Sequence, residues 1–476
     1  MSQLWISEVL VRARNAPLSI DFMNGLSAES FSKLRSHIFH IRELRLGYLW
    51  RCHRHVHVLD FFSSEAPILE HFELTGLDGC PANCLPPGTK LFDGRAPNLQ
   101  TLTLTRVSIP WSLIPFCQLT QLKITVRSPD DLNLNHFLDL LINNPGLEVL
   151  ILEFCLPSEF MRSQVSDGKP VHLPRLSRLC LSGSTSGVAD LFKRLTLPSS
   201  ATLHLRCNCE KSSAHLILPL VSTHLNNHVP AEIKTFRIVA ANYAMSLATS
   251  IPTPKSTTYD KHVIENHMNS EANLILTFDR TPHPSTRADL LRQACSILPI
   301  SNIEVLSIFF DGNVQLVDWY ELFQRCKKVT TIEAKARGTI SLLQGLAPPT
   351  RKGSKPTNMV SESKTKQGRR NDTAARSWGV NNVAAAHVIT APFPELTTLL
   401  LDSLNFDFCY LSGSGVLYDV IVDVLRRRKA KKNQLKTLHV NGCVITAERA
   451  NSLKKYVQEV HWDKDEGEGY FAPWER

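Results

Sequence analysis

The chain has 476 residues, of which 43% are hydrophobic, and a net charge of +9. That is too apolar for wholesale disorder. No run of 18 apolar residues is present, which excludes a membrane-spanning helix of the usual length. The first 22 residues lack the basic-then-apolar order of a secretory signal, because Arg12 and Arg14 interrupt the apolar stretch. The expected location is therefore cytoplasmic or nuclear, with most of the 12 cysteines free and buried as small hydrophobes.

From the N-terminus, apolar residues at Trp5, Ile6, Val9 and Leu10 have helical spacing. A turn at Asn15–Pro17 leads to a strand with Leu18, Ile20 and Phe22 on one face. Ser27–Phe39 reads as a helix with Ser27 as N-cap. Residues 1–40 are thus read as an N-terminal cap.

From Ile41 the pattern L-x-x-L-x-L recurs, as Ile41-x-x-Leu44-x-Leu46, Leu69-x-x-Phe72-x-Leu74, Leu99-x-x-Leu102-x-Leu104, Leu119-x-x-Leu122-x-Ile124, Leu147-x-x-Leu150-x-Leu152 and Leu176-x-x-Leu179-x-Leu181. Prolines lead into several strands, as at Pro97, Pro145 and Pro174. Helices are predicted between strands at Asn133–Ile142 and Gly187–Leu195. Degenerate strands follow at Leu203–Leu205, Ile233–Ile238 and Leu274–Phe278, then a helix at Thr286–Leu298. Ile303–Ile308 and Val329–Ile332 return to the pattern, joined by a helix at Val317–Cys326. One such strand cannot bury its apolar face alone, whereas a stack of them can. The expected fold is an α/β leucine-rich-repeat solenoid, a horseshoe with strands on the concave face and helices or loops outside.

Periodicity vanishes over 347–392, a stretch rich in Lys, Arg, Ser, Thr and Asn. It reads as a disordered basic loop, since it cannot bury enough apolar surface to offset its ordering entropy. It separates a solenoid at 41–346 from C-terminal repeats and a cap at 393–476. There Leu396–Leu401 is a strand and Val416–Arg428 a helix. Leu435–Ile445 follows the longer consensus with Cys443 where Asn often stands, a helix starts at Thr446, and Val457–Trp462 closes the stack.

Candidate chemistry is sparse. In the stretch Cys52–His57, His53, His55 and His57 could share a strand face and hold a metal, but the expected site is an exposed connection. Cys80 with Cys84, and Cys207 with Cys209, lack the C-x-x-C spacing of a metal knuckle. Cys155 and Cys443 occupy the position whose side chain bonds the turn inside a solenoid, a structural role. Gly413-Ser-Gly415 lacks the Lys-Ser/Thr of a phosphate loop. No set of acid, base and nucleophile is marked, so no enzyme, no cofactor and no metal are predicted. The basic charge is concentrated in 348–378 and in Arg426–Lys432. These two segments offer an alternative reading, binding of nucleic acid or an anionic surface, which the absence of interleaved aromatics weakens.

The segment Trp5…Val11-Arg-Ala-Arg-Asn15-Ala-Pro17-Leu-Ser-Ile20 and the proline-led strands Ala96-Pro-Asn-Leu99 and Phe393-Pro-Glu-Leu396-Thr-Thr-Leu399 resemble the F-box/leucine-rich-repeat family of mushroom-forming fungi. The resemblance covers most of the chain outside 347–392. It implies substrate recognition within an F-box-type ubiquitin ligase. The family's adaptor-docking helices are expected upstream of Trp5, where this chain has only Met1–Leu4, so the polypeptide as given is expected not to bind the ligase adaptor. The expected partner is a protein substrate held by a monomer, without a membrane and without nucleic acid. Strand register predicts the contact residues as Glu43, Arg45, His71, Glu73, Thr75, Thr101, Thr103, Thr105, Gln121, Lys123, Thr125, Arg178, Ser182, Thr437, His439 and Asn441.

Overall fold

A computed structural model describes residues 3–23, 28–47, 61–76, 90–107, 114, 116–126, 134–156, 170–208, 213–227, 233–241, 244–250, 272–279, 284–310, 319–336, 340–346, 393–407 and 416–464. Eighteen strands are assigned among these residues: β1 (Leu18–Phe22), β2 (Ile41–Gly47), β3 (His71–Thr75), β4 (Thr101–Thr105), β5 (Gln121–Thr125), β6 (Val149–Leu156), β7 (Val171–His172), β8 (Arg178–Ser184), β9 (Leu195–Thr196), β10 (Thr202–Asn208), β11 (Thr235–Ala241), β12 (Ala244–Ser250), β13 (Leu274–Asp279), β14 (Val305–Phe310), β15 (Thr331–Lys335), β16 (Thr398–Asp402), β17 (Thr437–Asn441) and β18 (Glu459–Trp462). The helices are α1 (Gln3–Ala13), α2 (Ala28–Arg35), α3 (Leu134–Ile142), α4 (Thr185–Arg194), α5 (Ala214–Asn227), α6 (Pro284–Ile297), α7 (Trp319–Phe323), α8 (Ile340–Gly345), α9 (Leu417–Ala430) and α10 (Ala447–Leu453).

All but β7 and β9 form one 16-stranded sheet. The small pair β7 and β9 stands apart. Strands β1 to β6, β8 and β10 follow one another in chain order, as do β14 to β18. Every pairing is parallel except those of β12, which runs antiparallel to both neighbours. This is an α/β architecture of sequential strands alternating with helices, consistent with a leucine-rich-repeat-like solenoid. The strand of the N-terminal cap, Leu18–Phe22, pairs parallel with β2 and is the first of the sheet. β15 pairs directly with β16, so the sheet runs unbroken from one side of 347–392 to the other. The segment 347–392 itself, like Ser27, Cys52–His57, Cys80, Cys84, Cys209 and Gly413–Gly415, lies outside the described residues.

The repeat builds itself from three local devices. Leucines at the fourth and sixth positions alternate inward, so that Leu102 and Leu104, for example, are buried while Thr101, Thr103 and Thr105 are half-exposed. The prolines sit second in a four-residue turn, because the N–H of the first repeat leucine donates to the carbonyl three residues back. Leu69 donates to Ala66, Leu99 to Ala96, Leu147 to Asn144, Leu176 to Leu173 and Leu396 to Phe393. Proline's fixed φ suits that second position. At the other end of the strand the eighth position turns left-handed, in Arg106 (φ 58), Phe154 (φ 59), Ala336 (φ 65), Ser403 (φ 58), Gly442 (φ 55) and Lys464 (φ 64). Only Gly442 takes that conformation without a Cβ penalty.

The inward faces of the strands and the buried faces of the helices form one continuous apolar core. Aromatic rings cluster in it at two places. Phe62 meets Phe61, Phe72 and Phe92 edge-on at 5.6, 5.8 and 6.1 Å. A second chain of rings runs Phe310, Trp319, Phe323, Phe393, with steps of 5.6, 6.0 and 5.8 Å. Asn144, fully buried, ties α3 to the preceding repeat. Its amide donates to the carbonyls of Phe116 (2.7 Å) and Leu140 (2.8 Å), and its carbonyl accepts from Leu119 N–H (2.8 Å).

Several elements depart from the sequence reading, among them α8 and the short pair β7 and β9, which it does not contain. α5 has no counterpart in it, and Pro219 lies inside this helix. β12 has none either, and it breaks the sequential order: the sheet runs β10, β13, β12, β11, β14.

Candidate protein-binding face

The strand positions that point away from the core line up across the sheet in three rows, because neighbouring strands pair in register. The first row runs Glu43, His71, Thr101, Gln121, Val149, Arg178 and on to Thr437 in β17. The second runs Asp21, Arg45, Glu73, Thr103, Lys123, Ile151, Cys180 and on to His439 and His461. The third contains Thr75, Thr105, Thr125, Glu153 and Ser182, and ends with Asp402 and Asn441. Every residue predicted to line the face lies in one of these rows. The sequence reading omits the β6 members Val149, Ile151 and Glu153 and all of β10 to β16, although the leucine spacing of β6 already fixes its register.

The rows change character along the sheet. At the N-terminal end charges alternate. Arg45 lies 3.9 Å from Asp21 and 3.8 Å from Glu73, and Ser19 donates to Glu43 (2.8 Å). That hydrogen bond chiefly holds the Glu43 carboxyl below its ordinary range. In the middle, Ile151, Cys180, Val239 and Ile275 are buried without belonging to the core on the other side of the sheet. Burial there pushes the Cys180 thiol up. Ser182, predicted as a contact residue, is buried, and its hydroxyl has no hydrogen-bond partner among the described residues. Beside it Arg206 grips Asp279 through Nε (2.5 Å) and Nη2 (3.4 Å), and its guanidinium lies 5.9 Å from the ring of exposed Phe154. At the C-terminal end Lys335 pairs with Asp402 (2.5 Å). The His439 and His461 rings stack at 4.7 Å with 15° between planes. Burial and the neighbouring His461 charge lower the pKa of His439.

Two other sequence candidates are placed by the structure. Cys155 and Cys443 sit inside the turns as expected. Cys155 Sγ donates to Ile124 O at 3.9 Å, and Cys443 Sγ contacts the carbonyls of Leu401 (3.6 Å) and Asn441 (3.3 Å) while accepting from Leu404 N–H (3.5 Å). Burial raises both thiols to about 12. The basic run Arg426–Lys432 is divided: Arg426, Lys429, Lys431 and Lys432 are exposed, while Arg428 is buried in the fold. Arg426 and Arg427 both pair with Asp423 at 2.6 Å. Lys429 donates to Lys455 O (2.6 Å). Arg428 is 0% exposed and donates to Asn433 O (3.2 Å) and Phe393 O (3.0 Å). The run is therefore not a continuous solvent-facing cationic patch.

Among the described residues no group of three or more His, Cys, Asp or Glu side chains is placed to hold a metal ion. Among the same residues no helix is long and apolar enough to cross a membrane. No protein-family model matches the sequence, and no curated protein does.

Proposed function

We propose that this chain is a protein-binding leucine-rich-repeat module that supplies substrate recognition to an F-box-type ubiquitin ligase subunit, acting in the cytoplasm or nucleus without chemistry of its own. The observation that carries the binding role is the face itself. Three in-register rows of side chains point away from the core, and such a face is the usual recognition surface of a solenoid. Its outer stretches carry threonines, a glutamine, a lysine and alternating charges, which suit a polar protein surface better than a small apolar ligand. The ligase role is supported by the resemblance of Trp5–Ile20 and of the proline-led strands to fungal F-box/leucine-rich-repeat proteins. Burial of Arg428 and the pairing of Arg426 and Arg427 with Asp423 favour this reading over nucleic-acid binding, although Lys429, Lys431 and Lys432 face solvent.

The test is quantitative affinity capture from fungal lysate with the intact chain, Thr103→Arg, Lys123→Glu, and a helix-side control, Glu448→Lys. Partners of the face fall about tenfold or more with the first two variants and stay with the third. Recovery of nucleic acid without a consistent protein partner, or equal capture by all variants, overturns the reading.

A further inference from the structure

A stack of repeats needs its two ends finished, because the last strand at each end leaves half of its apolar contacts and one row of backbone groups without a neighbour. The two edges of this sheet are finished differently. β18 has only four residues, with Glu459 and His461 on it, and just after it Asp463 reaches the turn beyond β17, its carboxylate accepting from Gly442 N–H (2.5 Å). β1 presents Leu18, Ile20 and Phe22, all half-buried, and among the described residues only β2 pairs with it. At the same end α1 exposes Val11 (69%), and Phe39, just after α2, is 48% exposed.

We propose that the β1 edge is a self-association surface, and that its occupant is β1 of a second copy of this chain, joined antiparallel about a two-fold axis through Ile20. The strand is self-complementary. Residues directly opposite one another in an antiparallel pair share a face. With Ile20 facing itself, Leu18 lies opposite Phe22 of the second copy, extending the apolar core across the axis. On the other face Ser19 lies opposite Asp21 of the second copy, so no like charges meet. Sliding the pair by one residue on each strand toward the C-terminus sets Asp21 against Asp21. Sliding it the other way sets Asp21 against Pro17, which has no N–H to give. The register through Ile20 is the one that pairs all five residues of the strand. The helices of both copies then lie on the same side of a joined sheet, and the face rows run on from one copy to the other. One edge strand is a small contact, so the equilibrium is weak and depends on concentration.

Sedimentation velocity of the intact chain, from micromolar to hundred-micromolar concentrations, reads the equilibrium. A dimer that grows with concentration is expected. Ile20→Lys places two cations at the axis and weakens it by about tenfold or more, while circular dichroism reports whether the repeats remain folded. The register has its own readout. Facing residues in an antiparallel pair lie roughly 4.5–5.5 Å apart at Cα, within the span of a disulfide. Ile20→Cys is therefore expected to give a covalent dimer under mild oxidation. Mass spectrometry is expected to map its disulfide to the substituted position in both copies, above the background of the native cysteines. A monomer at all concentrations overturns the proposal. So does a dimer that survives Ile20→Lys unchanged, and so does a dimer whose Ile20→Cys form links only through other cysteines.

Discussion

The buried arginine shows how far a side chain can stand from its sequence reading. Arg428 lies in the middle of a cationic run, yet it is the largest side chain with no exposure at all. Burial lowers its pKa to about 10, so the group stays charged at neutral pH. It holds together the end of α9 and Phe393, where the chain resumes after 347–392. Replacing it with methionine keeps roughly the volume but takes the guanidinium donor from the buried Phe393 carbonyl and the part-buried Asn433 carbonyl. The expected loss is about 2–4 kcal/mol in urea unfolding, whereas Lys431→Ala and Lys432→Ala leave stability unchanged. The thiols follow the same logic of burial. Cys155, Cys326 and Cys443 have pKa values near 12, and Cys117 is exposed. Alkylation of the native chain at pH 8, read residue by residue by mass spectrometry, is expected to mark Cys117 and spare those three. His439 supplies the pH dependence. Its folded pKa lies below the ordinary 6.5, so the unfolded chain takes up the proton first. Its contribution to stability is complete above about pH 6.5 and is lost as pH falls through the lowered folded value. Hydrogen exchange in β17 and β18, corrected for intrinsic rate, is expected to rise between pH 7.5 and 5.5. His461→Gln, which removes the neighbouring charge, blunts that rise.

At the scale of elements, the strands that follow the leucine spacing were legible from sequence, because a period of two with apolar residues at the fourth and sixth positions leaves one choice of inward face. The turns were half legible. The prolines marked where each strand begins, but their place inside a four-residue turn depends on the hydrogen bond from the leucine two residues later. β12 was hidden because its third inward position is Thr249, which interrupts the apolar alternation begun by Met245 and Leu247. That hydroxyl is buried with no hydrogen-bond partner among the described residues. Thr249→Val keeps the shape and removes the desolvated group, so a gain of about 1 kcal/mol is expected in thermal or urea unfolding. α5 was hidden by Pro219, whose ring forbids one helical hydrogen bond. The rows of the face were legible wherever the strands were, yet the reading carried them across β2 to β5 and left out β6 and β14 to β16, whose strands it had recognised. Ser182 was misjudged because register tells which way a side chain points and says nothing of the neighbours that cover it.

At the scale of the molecule, the stretch 347–392 divides the sequence but not the sheet. β15 and β16 pair through five residues, Phe323 meets Phe393, and α8 packs on α9. A specific protease site inserted at residue 370 and cut after purification is therefore expected to leave both pieces in one particle by gel filtration. They separate only when urea unfolds the sheet. Separation in buffer alone would mean that the two parts fold as independent bodies.

The position of β12 also bears on the order in which the molecule can assemble. In an ordinary stack each strand finds its neighbour a few tens of residues away, and growth proceeds like a zipper as the chain leaves the ribosome. Here the zipper stalls at β10, whose next neighbour is β13. The bond between Arg206 and Asp279 spans 73 residues. Until β13 has been made, β10 stands as a bare edge, while β11 and β12 fold back on each other as a hairpin with no sheet to join. The middle three strands then fill the sheet between β10 and β14, with β11 giving the edge on which β14 pairs. Ribosome-bound chains ending near residue 230 should show a protected β1–β8 and a labile β10. Chains long enough to expose β13 should gain protection across β10 to β13 together, in one step.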